Sequence, residues 1–157
     1  MARISKAIPQ TVSSINIYKI RMVKEDTVEY SDTIKSPADV ASLAREVLEM
    51  HEMAEENFVV LCLNTKNKIV GIHTVSIGSL NASIVHPREV FKAALLNNAN
   101  AIICLHNHPS GDPEPSREDI EITRRLVDAG SILGINVLDH IIIGDGRYIS
   151  LKEQGLM

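Results

Sequence analysis

Two histidines stand two residues apart in the stretch LHNHPSGDPEPSRED, which spans residues 105–119. His106 and His108 end an apolar run, and side chains at positions i and i+2 of an extended backbone point to the same side. Asp119 follows after a loop rich in proline and glycine. Two imidazoles and a carboxylate are a frequent ligand set of catalytic zinc, with water in the fourth position. The stretch therefore indicates a hydrolytic metal site.

Other interpretations of these residues stay open at the level of sequence. A His-x-His pair in a loop is often only polar surface, and Asp112 and Glu114 lie closer to the histidines along the chain than Asp119 does. Ser116 and Asp119 also have the spacing of a helix capping box. The letters HNH name a family of nucleases, but its three residues are spread along a ββα unit, whereas here they are consecutive.

The elements around this stretch are predicted to be strands and helices that follow one another along the chain. Apolar, β-rich runs predict buried strands, and Ser36, Pro37 and Asp39 have the spacing of a helix start. A further helix begins at Ser116 and is predicted to end at Gly130. Helices on a mixed sheet give an α+β fold of three-layer α/β/α type. The predicted strands are 58–64, 69–78, a short strand at 84–86, 101–106, 135–144 and 147–151; the other helices start at residues 37 and 87.

The first 35 residues are predicted to be an extension, and residues 36–157 the main domain. Residues 1–11 resemble a polar tail. Tyr18, Ile20 and Met22 then alternate with other side chains in the manner of a strand, and a second strand near Val28 and Tyr30 would complete a β-hairpin. An exposed edge strand of that hairpin would support a homodimer.

The bulk properties are those of a globular cytoplasmic protein. The 157 residues suffice for one domain, and the net charge of −4 argues against a general binder of nucleic acid. Cys62 and Cys104 lie in apolar runs, which predicts buried free thiols in a reducing compartment. No signal-peptide pattern or apolar run long enough for a membrane span is found in the sequence.

The spacing of the polar residues resembles the motif of the JAB/MPN+ (JAMM) metalloproteases: His106-x-His108, seven residues, Ser116, two residues, Asp119. Longer stretches, HPREVFKAAL, HNHPSGDPEPSRED and LGINVLDHIIIG, resemble the RadC family, the bacterial branch of that superfamily. The resemblance covers residues 37–155. It is to the short, stand-alone RadC-like proteins, because the chain has no room for the helix-hairpin-helix module that RadC proteins often carry.

The resemblance implies a JAB/MPN fold, which is similar to that of cytidine deaminases, and a Zn²⁺ ion held by His106, His108 and Asp119. It also implies a glutamate general base just before the first long buried strand. Among Glu52, Glu55 and Glu56, the pattern favours Glu56, with Glu55 second.

Ser116 is implied to steady the oxyanion of the reaction. The implied reaction is hydrolysis of a peptide or isopeptide bond in a protein or peptide substrate.

Two questions stay open beside this reading. Asp139 and His140 form a polar pair between apolar residues, and burial of such a pair is costly unless it is hydrogen-bonded. The pair would either contact the metal ligands or form an ordinary structural pair, and the two are about equally expected. The RadC family also has an association with DNA repair, so a DNA-repair accessory protein or a metal-dependent nuclease using the same site is the alternative function.

Overall fold

A computed structural model describes residues 16–30, 33–78 and 85–157 of the chain. In these described ranges, a central five-stranded sheet carries three α-helices and a short 3₁₀ turn, Met50–Glu52. The strands are β1 (Asn57–Leu63), β2 (Ile69–Ile77), β3 (Ala101–Asn107), β4 (Asn136–Ile143) and β5 (Tyr148–Ser150). The helices are α1 (Pro37–Glu46), α2 (Pro87–Leu96) and α3 (Arg117–Leu133).

The sheet is mixed, with the strand order β2-β1-β3-β4-β5. β1 pairs antiparallel with both β2 and β3, β4 pairs antiparallel with β5, and β3 pairs parallel with β4. Parallel neighbours need a crossover connection, and α3 supplies it between β3 and β4. β3, which carries the histidine pair, is therefore the central strand.

Helices cover both faces of the sheet, which gives it two apolar cores. One core joins α1 to side chains such as Leu61 and Leu105, and the other joins α2 and α3 to side chains such as Val60 and Cys104. Strands buried on both faces have continuous apolar sequences, and this explains the runs in β1 and β3. The predicted α+β fold of three layers is confirmed.

The helix starts agree with the sequence, but one helix end does not. Ser36 and Ser116 each form a complete capping box, with Asp39 and Asp119 at N3. The prediction that α3 ends at Gly130 is wrong, because the helix continues to Leu133 and is capped by Gly134 with φ of +71°. Gly130 lies buried inside the helix instead. The position requires glycine, because a Cβ there would collide with the backbone carbonyl of Ile135.

The predicted N-terminal β-hairpin is wrong for the part that the structure describes. Residues 16–30 form no strand, and the side chains of Tyr18 and Ile20 are 81% and 80% exposed. The alternating pattern is not enough, because a strand also needs a neighbour for its backbone groups. Residues 1–15 and 31–32 lie outside the described residues. The short strand predicted at 84–86 is wrong for its described part, because residues 85 and 86 form no strand and His86 directly precedes α2; residue 84 lies outside the described residues.

The main domain begins close to residue 34. Ile34 is buried in the α1 core, and its N–H donates to the carbonyl of Asn67 at 3.1 Å. Cys62 and Cys104 are buried free thiols, as predicted. Within the described residues, no helix combines the length and the apolar character needed to cross a membrane.

Candidate metal centre

Three predicted ligands converge where β3 ends and α3 begins. Nε2 of His106 lies 2.9 Å from Nε2 of His108 and 3.3 Å from Oδ1 of Asp119, and Nε2 of His108 lies 3.5 Å from Oδ2 of Asp119. His106 and Asp119 are buried, and His108 is half-buried. Among the described residues, these three form the group of ligand-type side chains that could hold a metal ion. The competing carboxylates of Asp112 and Glu114 are exposed and lie outside it.

The ligand-type atoms lie close enough together to share one small ion. Bonds of about 2.0–2.1 Å to nitrogen or oxygen place tetrahedral ligand atoms about 3.3–3.4 Å apart. The two imidazole nitrogens are 2.9 Å apart, each contacts a different oxygen of Asp119, and with one ligand atom taken from each residue the three atoms lie within 4.8 Å of one another. Three ligands from the protein leave a fourth position open, which is typical of catalytic and not of structural zinc sites.

A chain of hydrogen bonds determines which nitrogen of His106 faces the centre without a proton. The Thr123 hydroxyl must donate to the carbonyl of Asp119, 2.5 Å away, because a carbonyl only accepts. Thr123 Oγ1 therefore accepts from Nδ1–H of His140 at 2.5 Å, and Nε2 of His140 is left to accept from Nδ1–H of His106 at 2.8 Å. Neutral His106 thus presents an unprotonated Nε2, which is the form that binds a metal.

His108 reaches the same state through the loop that follows it. Its Nδ1–H donates to the carbonyl of Asp112 at 2.7 Å, so the neutral ring also presents an unprotonated Nε2. The loop is fixed to the β4–β5 hairpin, because the N–H of His108 donates to Ile143 and the N–H of Asp145 donates to Gly111. Gly111 has φ of +83°, a conformation that favours glycine, at the turn that brings this carbonyl back to the ring.

The electrostatics favour neutral buried rings beside an ionised carboxylate. Burial lowers the pKa of His140 to about 4 and holds the pKa of His106 well below its usual value. Burial alone would raise the pKa of Asp119, but its contacts with His108 and Ser116 outweigh burial and hold that pKa low. The pKa of His108 is raised, mainly by its contact with Asp119. Without a metal, a proton on His108 is therefore the cation that the carboxylate favours.

Glu56 directly precedes β1 and lies near the centre. The β1–β3 pairing ends at Phe58 and His106, and Glu56 and His108 each follow two residues beyond that pair, so alternation of the extended backbone brings them to the same side. Its side chain is half-buried, and its negative charge contributes to the raised pKa of His108, after the contacts of that ring with Asp119 and with the carbonyl of Asp112.

The other two candidate glutamates are placed less favourably. Glu55 is exposed, and its carbonyl accepts from the side-chain amides of Asn57 and Asn107. Glu52 is exposed in the 3₁₀ turn and lies 3.6 Å from His51. The alternation of the chain thus brings Glu56, and not its neighbour Glu55, to the side of the histidines.

Ser116 caps α3 and contacts one of the three ligands. Its Oγ accepts from the N–H of Asp119 at 3.1 Å and donates its proton to Oδ2 of Asp119 at 2.7 Å. The same carboxylate oxygen accepts from the N–H of Ser116 at 2.7 Å. The capping box and the metal centre therefore share the Asp119 side chain, and the helix start fixes the direction in which this ligand points.

The polar pair on β4 divides into two functions. His140 contacts the ligand His106, as one of the two predicted alternatives requires. Asp139 points away: it accepts from the Ser150 hydroxyl at 2.6 Å and from the N–H of Lys152 at 3.2 Å. Successive residues of a strand face opposite sides, so Asp139 holds the end of the sheet while His140 supports the centre.

Comparison with known proteins identifies the family of the chain and its JAB domain. The sequence profile of the family described as RadC-like JAB domain matches residues 34–156. The chain belongs to the RadC family. A UPF0758 protein of Caldanaerobacter subterraneus subsp. tengcongensis is 65% identical over 123 residues, which are 78% of this chain and 52% of that protein. Similar proteins of Desulfitobacterium hafniense and Bacillus mycoides are 62% identical over 124 residues and 60% identical over 137 residues.

This RadC chain spans little more than half the length of the curated relatives that it matches. It covers 54% of the Desulfitobacterium protein and 59% of the Bacillus protein, while these alignments take in 79% and 86% of the chain itself. The matched region contains every residue of the metal centre.

Sequence reasoning missed two residues of the RadC site, Thr123 and Asn107. Thr123 lies four residues after Asp119, a spacing at which a threonine hydroxyl reaches back to a helix carbonyl. Asn107 stands between the two histidines, and its buried amide accepts from the N–H of Asn57 at 2.8 Å and donates to the carbonyl of Glu55 at 3.0 Å. It thereby ties the segment that carries Glu56 to the strand that carries the histidines.

Proposed function

We propose that this RadC chain is a zinc-dependent metallohydrolase of the JAMM type that cleaves an amide bond, either peptide or isopeptide. The observation that carries the proposal is the convergence of two imidazole nitrogens and a carboxylate oxygen, which lie within 4.8 Å of one another. Hydrogen bonds on the opposite nitrogens of both rings prepare them as ligands. Nitrogen and oxygen ligands with an open fourth position suit a hydrolytic zinc ion, which would polarise a carbonyl and lower the pKa of water.

Glu56 is proposed as the general base and acid. A carboxylate opposite His108 can accept a proton from the attacking water at one carboxylate oxygen and return it to the leaving amine. Asn107 supports this function, because it fixes the backbone of the residue before Glu56.

Ser116 is proposed to donate a hydrogen bond to the oxyanion. Its only hydroxyl proton goes to Asp119 Oδ2 in this structure, so the donor function requires the hydroxyl to rotate. The N–H of Ser116 would continue to hold the carboxylate during that rotation.

The alternative functions, a DNA-repair accessory protein or a nuclease, have less support from the surface. A groove on the outer side of α3 is lined by Arg117, Ile120, Glu121 and Arg124, and its charge is mixed. A phosphate backbone requires a concentration of positive charge, which neither this groove nor the net charge of −4 supplies.

Metal analysis and a cleavage screen test the proposal. Purified protein should contain one zinc per chain, and the His106→Ala/His108→Ala double variant should contain none. Glu56→Gln should keep the zinc and lose about 10²–10⁴-fold in the rate of peptide hydrolysis, because a general base is removed. Glu55→Gln is the matched control and should keep both. Full zinc retention by the double variant would refute the metal centre, and cleavage of DNA but not of peptides would favour the nuclease.

A further inference from the structure

A segment with the pattern of a strand lies exposed beside the domain. This segment, residues 16–23, is called the arm here. Its apolar side chains are unusually open to solvent: Ile17 is 94% exposed, Ile20 80% and Val23 83%. Within the described part of the chain, the arm forms no backbone hydrogen bond with the domain. A contiguous apolar exposure of this kind is typical of a surface that binds a partner.

The sheet offers a matching open edge. β2 is nine residues long and lies at one end of the strand order, so only β1 pairs with it among the described residues. Val70 and Ile77 on this edge are 44% and 63% exposed. The opposite edge, β5, is only three residues long. A long, unprotected edge strand presents a row of backbone donors and acceptors on which another strand can assemble.

The eight-residue arm and the nine-residue edge fit each other in length and chemistry. An extended arm can satisfy its backbone groups on β2 while one set of alternating side chains, Tyr18, Ile20 and Met22, continues an apolar face of the sheet. The arm carries two positive charges, Lys19 and Arg21, and no acidic residue. The chain as a whole has a net charge of −4, so the part outside the arm carries −6.

The geometry points to exchange of arms between two copies, and we propose that the arm of each copy adds to the β2 edge of the other as a sixth strand. The anchor of the domain, Ile34 on Asn67, lies at the β1–β2 turn, so the connecting residues start beside the edge. The single chain nevertheless leaves its arm unpaired. Reciprocal exchange brings two arms into one closed dimer with two-fold symmetry and doubles the buried apolar surface.

The mass of the full-length protein in solution tests the proposal. Light scattering during gel filtration, at concentrations from about 1 to 100 µM, should give twice the mass of the 17.3-kDa chain at the upper end. Ile20→Asp should weaken the dimer by about 100-fold or more, because two buried isoleucines are lost in each dimer. Ile132→Asp is the matched control, since Ile132 is 86% exposed at the far end of α3 and should leave the mass unchanged. Both positions are exposed in the single chain, so both variants should fold.

Hydrogen exchange distinguishes the partner of the arm. In the dimer, amides of both the arm and β2 should be protected, and that protection should fall on dilution and in the Ile20→Asp variant. A monomer at every concentration overturns the proposal. If the arm of that monomer is protected, the arm pairs within its own chain. A dimer that Ile20→Asp leaves intact would also overturn it.

Discussion

Thr123 provides a sharp test of how the metal centre is prepared, because its hydroxyl is the end of the hydrogen-bond chain behind His106. Thr123→Val keeps the shape of the side chain but removes the acceptor for Nδ1–H of His140. Both residues are fully buried, so water does not replace the lost partner. Without zinc, the chain of protons can reverse: His140 then donates to His106 Nδ1, and the proton moves to His106 Nε2, the atom that should bind the metal.

The magnitude follows from the difference between the free and the zinc-bound protein. A zinc ion held by His106 would keep its Nε2 unprotonated, so reversal would be blocked and the N–H of His140 in the Thr123→Val variant would stay buried without a partner. An unsatisfied buried donor costs about 1–3 kcal/mol. Because about 1.4 kcal/mol corresponds to a tenfold change, the dissociation constant for zinc should rise about 5–150-fold.

Competition with a chromophoric chelator measures this affinity, and Thr123→Ser is the matched control. The serine keeps the hydroxyl and loses a methyl group, so it should bind zinc within a few-fold of the wild type while it unfolds at lower denaturant concentration. Equal zinc affinities of Thr123→Val and Thr123→Ser would refute the reasoning. Loss of stability in both variants without any difference in zinc affinity would mean that Thr123 only packs the core.

Three further predictions concern the same centre and its surroundings. Asp119→Ala should lose zinc. Ser116→Ala should keep zinc, lose about 0.5–2 kcal/mol of stability as a missing helix cap and, as a missing oxyanion donor, slow turnover by about 10²-fold or more; equal zinc contents in the two variants would contradict this. In metal-free protein, burial lowers the pKa of His140 to about 4 and holds the pKa of His106 well below its usual value. The pKa of His108 is raised, so below about pH 6.5 this ring is protonated in both the folded and the unfolded chain and does not offset the other two. The unfolded chain then binds two more protons than the folded chain, so the free energy of unfolding should fall by up to about 2.7 kcal/mol per pH unit as the pH drops from about 6.5 toward 4; urea titrations that show a flat or opposite trend would contradict it. Finally, duplex DNA should bind weakly at physiological salt, and tight binding with a steep salt dependence would reveal a basic surface.

The sequence alone determined the strands of the core and the starts of the helices. Continuous apolar runs such as residues 58–63 indicate burial, because a strand that is covered on both faces has apolar side chains on both. The two capping boxes are equally local, since Ser36 and Ser116 act on residues three positions later. That the side chains of His106 and His108 point to the same side also follows from local geometry, because alternate residues of an extended segment share a side.

Only the tertiary structure decided what surrounds those histidines. Asp119, His140 and Glu56 come from three different elements, and the β1–β3 register and the α3 crossover bring them together. No local pattern contains that information, because contacts between distant segments depend on how the whole sheet is assembled.

The same reason explains the failure at the N-terminal extension. The alternation of residues 17–23 is a real strand pattern, but strand formation depends on a partner whose presence a local sequence does not encode. The function of Thr123 likewise depends on tertiary packing. Its spacing from Asp119 permits a local hydrogen bond, but only the packing of α3 on β4 makes its hydroxyl the acceptor for His140.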